Sequence, residues 1–212
     1  MFAGRLVAMA DKKPGVRLAP ALLVFVAVLA ACAGGDDRAI SESQLPQLVL
    51  KSADLPAVWT QFDGGKQVRA DAPPGRRADP TRFDRRGGWK ARFRRQGTPQ
   101  TPGPLVVESR ADLFSEAGGA KDDFQLIEQD LDASPAGTAR RLADPDLGDQ
   151  AAAAELRQGS VRFYSVVWRH GNVIAAMLVN GFARSFTFAD VVRLARKQEL
   201  RIARAAAAGS GS

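Results

Sequence analysis

The stretch VRFYSVVWRHGNVIAAMLVNGF, residues 161–182, decides the fold. Along an extended chain, Phe163 and Val167 fall on one side, and Tyr164, Val166 and Trp168 on the other. Residues 173–182 are apolar on both sides in the same way. A strand with two apolar faces belongs in the middle of a layered structure, covered above and below. Between the two runs, Gly171-Asn172 supplies the positive-φ residues of a tight hairpin turn. The segment therefore predicts an antiparallel hairpin at the centre of a sheet.

Working outward, residues 151–157 read as a further strand, preceded by a loop over 133–149. Leu113, Ala117, Ala120, Phe124, Ile127 and Leu131 recur at spacings of three and four, which predicts a helix over 113–131 with Ser115 as its N-cap. Gly118 and Gly119 destabilise such a helix unless something packs close against them. Residues 105–110 (LVVESR) form a strand, and so does 89–94 (WKARFR). In the latter, Trp89, Ala91 and Phe93 share one face and Lys90, Arg92 and Arg94 the other, so the outer face is basic. Residues 66–84 read as a long loop, 58–62 as a first strand, and 45–55 as one or two helical turns. Downstream, 188–206 predicts a terminal helix with Phe188, Val191, Val192, Ala195 and Ile202 on its core face. Glu199 falls inside that apolar stripe, where a carboxylate needs a partner or a raised pKa. The fold class is α+β: an antiparallel sheet of about five to six strands with helices packed against it.

This domain, residues 44–208, follows a leader. Arg5, Lys12, Lys13 and Arg17 precede the uncharged run LAPALLVFVAVLAA, residues 18–31. That run is too short to span a bilayer, which takes about 20 apolar residues, and has the length of a signal-peptide core. Residues 1–31 are thus a signal peptide, 32–43 a flexible tether and 209–212 a disordered tail. Leu29-Ala30-Ala31-Cys32 resembles the lipobox of bacterial lipoproteins. The resemblance implies a diacylglycerol on the Cys32 thiol, cleavage just before it, and a place on the extracytoplasmic face of a cell membrane. Cys32 is the only cysteine, so the lipidated domain is expected to have no disulfide.

The element order, with Leu50-Lys51-Ser52-Ala53-Asp54-Leu55-Pro56 and Arg169-His170-Gly171-Asn172-Val173, resembles the PsbP-like α/β sandwich. That family occurs in exported lipoproteins and in extracellular sensor domains of actinobacterial kinases. The resemblance implies binding rather than catalysis.

Residue inventory points the same way. His170, the sole histidine, is expected at a hairpin tip, and no nucleophile-elbow sequence accompanies it. Asp144, Asp146 and Asp149 share a loop, but their spacing does not match an EF-hand, so no metal or other cofactor is expected. Loss of the leader lowers the formal charge from +7 to +4. Residues 66–97 alone carry eleven basic side chains against Asp71, Asp79 and Asp84. An exported protein rarely meets nucleic acid, so the expected polyanions are anionic lipid and cell-wall polymer.

The expectation is a membrane-anchored, non-enzymatic binding module for an envelope protein or anionic surface polymer. Arg85, Arg86, Lys90, Arg92 and Arg94 are its candidate polyanion-binding residues, and Glu199 a candidate buried carboxylate. The alternatives are a carrier of a small apolar ligand or lipid, with Trp59, Trp89 and Trp168 lining its cavity, and an envelope hydrolase. A cavity of about 300 Å³ or more between sheet and helix favours the carrier.

Overall fold

A computed structural model describes residues 39–73, 75–133 and 139–208. The signal peptide, Cys32 and the 209–212 tail lie outside the described residues.

The chain forms a fully antiparallel sheet of β1 (Thr60–Lys66), β2 (Arg85–Arg94), β3 (Val106–Phe114), β4 (Arg140–Arg141), β5 (Gln150–Gln158), β6 (Val161–His170) and β7 (Val173–Phe182). The spatial order is β1-β2-β3-β7-β6-β5-β4, so the predicted hairpin does sit at the centre, with β7 the middle strand. Helices α1 (Ala117–Asp132) and α2 (Phe188–Ala208) lie on opposite faces.

The sheet has seven strands rather than five or six. The extra one, β4, is two arginines long and has no periodicity to read. Tertiary pairs hold it in place: Arg140 to Glu155, and Arg141 to Glu128, Asp132 and Asp144.

The α2 face holds the larger core. Trp168, Val166, Met177, Ala175, Val107 and Phe93 meet Val191, Ala195 and Ile202 of α2 and the N-terminal Leu45, Leu48 and Leu50. One buried polar node crosses it. Ser109 Oγ donates to Gln198 Oε1 at 2.8 Å and accepts from Leu50 N–H, while Gln198 Nε2 donates to the Arg110 carbonyl. Every partner is satisfied, so burial carries no desolvation penalty left unpaid by a bond.

On the other face, α1 sets Phe124, Ile127 and Ala120 against Phe114, Ala152 and Ile174. The helix begins at Ala117 after Glu116, not at 113. Leu113 instead continues β3, in register with Gly87 and Val173, because its position also fits the alternation of Val107, Ser109 and Ala111. Gly119 meets a close approach: a Cβ there would run into the Phe83 carbonyl oxygen. Phe83 and the following Asp84 are both left-handed, at φ 51° and 58°.

Packing already includes Ile40, ahead of the expected start at 44. Ile40 is buried, and both its backbone groups bond the Asn172 side chain at 2.9 and 3.0 Å. In the β6–β7 turn only Gly171 takes a positive φ, of 55°. Asn172 serves there as the clamp for the entering chain.

Candidate functional site

Helix α1 has 16 residues, about 24 Å at 1.5 Å each. Strands β6 and β7 have ten each, about 33 Å at 3.3 Å per residue. Among the described residues, one helix therefore leaves part of that face uncovered. Beyond the end of α1 lies a groove of about 430 Å³. Leu178, Phe163, Leu156 and Val106 form its floor, Leu131 one wall, and Arg92 with Glu108 the other.

Strand register explains the composition. Asp63, Arg92, Glu108, Leu178, Ser165 and Ala154 stand side by side across six strands. The neighbouring row is Arg94, Val106, Asn180, Phe163 and Leu156. The first row loses its charge at the middle strand, and the second already at Val106 on β3, with the Asn180 amide as its one polar group beyond. Leu178, on the middle strand, stays 39% exposed. The Ser165 hydroxyl and the Asn180 amide in the groove make no side-chain hydrogen bond to the described residues.

The basic outer face of β2 is present but mostly paired internally. Lys90 Nζ sits 2.6 Å from Asp71 Oδ1 and 3.1 Å from Asp63 Oδ2, with its side chain only 13% exposed. The Asp71 hydrogen bond, more than opposing burial, raises the Lys90 pKa above its ordinary value. Arg92 lies 2.9 Å from Glu108 and 3.5 Å from Asp63. Arg85 is held by Asp112 at 2.7 Å and by Gln67, and exposed Arg86 donates to Ser115 Oγ. Arg94 is exposed and has no carboxylate partner among the described residues; its guanidinium and that of Arg92 lie 5.4 and 5.3 Å from the Phe62 ring centre.

The long loop of 66–84 is fastened to α1 through Asp123, which is fully buried. Arg82 donates to it at 2.6 and 3.0 Å, and Arg77 at 2.9 and 2.8 Å. Burial alone would raise this carboxyl's pKa, but the bonds from Arg77 and Arg82 outweigh it and hold the value below the usual range. Sequence periodicity gave no sign of this node, since Asp123 looks like any solvent-facing helical acid.

Glu199 does have partners. It accepts from Trp168 Nε1–H at 2.6 Å and lies 2.7 Å from His170 Nδ1, with its side chain 17% exposed. His170 ends β6 and is bonded, not a free turn residue. Asp149 takes Arg169 and the Gly171 N–H, and Asp144 faces Arg141. Among the described residues, no group of three His, Cys, Asp or Glu side chains is placed to hold a metal ion.

The expected tryptophans do not line the groove. Trp168 is fully buried under α2 and Trp89 packs against the same core. Trp59 borders a separate depression with Arg95, Pro104 and Leu194.

The fold has a known counterpart. The extracellular domain of PknH from Mycobacterium tuberculosis superposes with a TM-score of 0.59, covering 79% of this chain and 99% of that one at 12% identity. The likeness is one of fold, and it agrees with the α/β sandwich architecture that the sequence resembles. No protein-family model and no curated protein matches the chain. Among the described residues no helix is long and apolar enough to cross a membrane.

Proposed function

We propose that this chain is an exported lipoprotein, anchored through a lipid on Cys32, whose domain is a non-catalytic binding module for a small apolar or amphipathic molecule. The observation that carries the reading is the groove of about 430 Å³ with Leu178 of the middle strand open at its floor. Its size falls within the roughly 300–1,000 Å³ of small-molecule sites, and its make-up matches them too: an apolar lining with a few polar groups that fix orientation. Ser165 and Asn180 supply those groups.

A polyanion surface on β2 is less well supported, because Lys90, Arg92 and Arg85 are already bound to Asp71, Asp63, Glu108 and Asp112. The extracellular placement of the PknH domain agrees with an exported position here. The described chain meets the domain at the Gly171-Asn172 turn, where Ile40 bonds the Asn172 side chain. Asn180 in the groove lies seven residues along β7 from Val173, about 23 Å toward the other end of the sheet.

Native mass spectrometry of the full-length protein purified from its own host tests the reading. A retained small apolar adduct, absent from Leu178→Glu protein of unchanged melting temperature, is expected. An adduct carried equally by both proteins contradicts the placement of the site.

A further inference from the structure

The groove reading leaves open what its ligand carries at the polar end, and the charge inventory at the rim bears on that. Lys90, Arg92, Arg94 and Arg110 gather at this end of the sheet against Asp63, Asp71 and Glu108. Four cations face three carboxylates, and the pairing shows which cation is left over. Lys90 lies between Asp71 and Asp63, Arg92 between Glu108 and Asp63, and Arg110 beside Glu108. Arg94 has none among the described residues. It is held beside the paired Arg92 by the Phe62 ring, a cation–π contact that orients the guanidinium without neutralising it.

The location matters as much as the charge. Arg94 is in register with Val106, which is in register with Asn180, then Phe163, then Leu156. With strands about 4.8 Å apart, the guanidinium-bearing residue lies roughly 14 Å from Phe163 across the sheet. One row thus runs from an unneutralised guanidinium just outside the groove lining, over Val106 and the Asn180 amide, onto an apolar floor.

We propose, resting on the groove reading, that the ligand is an anionic amphipath with a single acyl chain. Its chain lies over Phe163, Leu178 and Leu156, and its carboxylate or phosphate meets Arg94. A guanidinium donates two parallel hydrogen bonds to either group, a geometry an ammonium cannot match. The volume of about 430 Å³ suits one chain rather than several.

The test compares three lauroyl compounds on the full-length protein held in amphipol, by calorimetric titration. Laurate presents a carboxylate, lauroyl lysophosphatidylglycerol a phosphate, and monolaurin an uncharged head on the same chain. At least one anion is expected to bind about tenfold tighter than monolaurin, a ratio equivalent to 1.4 kcal/mol. Which anion does so separates a free fatty acid from a phospholipid as the source. Arg94→Gln should remove that preference, leave monolaurin binding unchanged, and keep the melting temperature. Equal affinity for all three, or a preference that survives Arg94→Gln, overturns the inference and leaves the groove standing. Binding of none of the three overturns the groove reading and the inference together.

Discussion

Leu178 stands in register with Ser165 on the neighbouring strand, and both face the part of the sheet that α1 does not reach. A large apolar side chain 39% exposed on the middle strand of seven is the feature around which the functional reading is built. Elsewhere along β7 the alternating residues are covered: Ile174 by α1, and Ala175, Met177 and Val179 by the α2-side core.

The two adjacent glycines of α1 should respond oppositely to alanine. At Gly118 a Cβ meets nothing within 4 Å, so Gly118→Ala should stabilise by up to about 1 kcal/mol through helix propensity. At Gly119 the Cβ would strike the Phe83 carbonyl, in a backbone already left-handed, so Gly119→Ala should destabilise by about 1–3 kcal/mol. Urea denaturation of the two single variants distinguishes them, and shifts of the same sign would refute the packing described for Phe83.

The fold was legible where one pattern dominated. The central hairpin announced itself because 161–182 is apolar on both faces, and the terminal helix because its stripe is long. Helix α1 starts later than the periodicity predicts because Leu113 satisfies two periods at once, i+4 to Ala117 and i+2 from Ala111. Strand β4 was unreadable, since nothing in Arg140-Arg141 hints at Glu155 as a partner. The groove left no mark either: Phe163 and Leu178 look like covered core residues, and only the length of α1 against the strands exposes them. The basic run at 66–97 overstated the free charge, because Glu108 and Asp112 lie outside that run and Asp63 just before it, all brought near only by sheet register.

Acid should weaken the Asp123 node. Its carboxyl titrates below the value of about 3.9 it has in an unfolded chain, so the stabilisation is complete above that pH. It is lost as the pH falls through the lower folded value. Asp123→Asn removes the carboxylate that Arg77 and Arg82 share, leaving Arg82 only the more distant Asp112 at 3.7 Å, and should cost about 3–5 kcal/mol at pH 7. The gap between wild type and variant in urea should shrink below about pH 4, and a gap that widens there would contradict the pairing.

Glu199→Ala should strand the Trp168 indole N–H inside a fully buried ring environment, at a cost of about 1–3 kcal/mol. Glu199→Gln keeps an acceptor and should lose less. Chemical denaturation followed by tryptophan fluorescence reads both; an Ala variant as stable as wild type would show that the bond contributes nothing.

Replacing Cys32 by Ser should abolish incorporation of radiolabelled palmitate and leave the precursor uncut, as a lipobox cysteine implies. Normal labelling and processing of that variant would remove the lipid anchor from the proposal.

The most direct measurement is titration of the full-length protein with a fluorescent apolar probe, comparing wild type with Ser165→Phe. Ser165 lies on the groove floor beside Leu178 and Ala154, so a phenyl ring there fills the space without disturbing either core cluster. Saturable binding by wild type, lost at least about tenfold in a variant of unchanged melting temperature, is the expected result. Binding of equal strength by both proteins, or none by wild type, would contradict a ligand site in this groove.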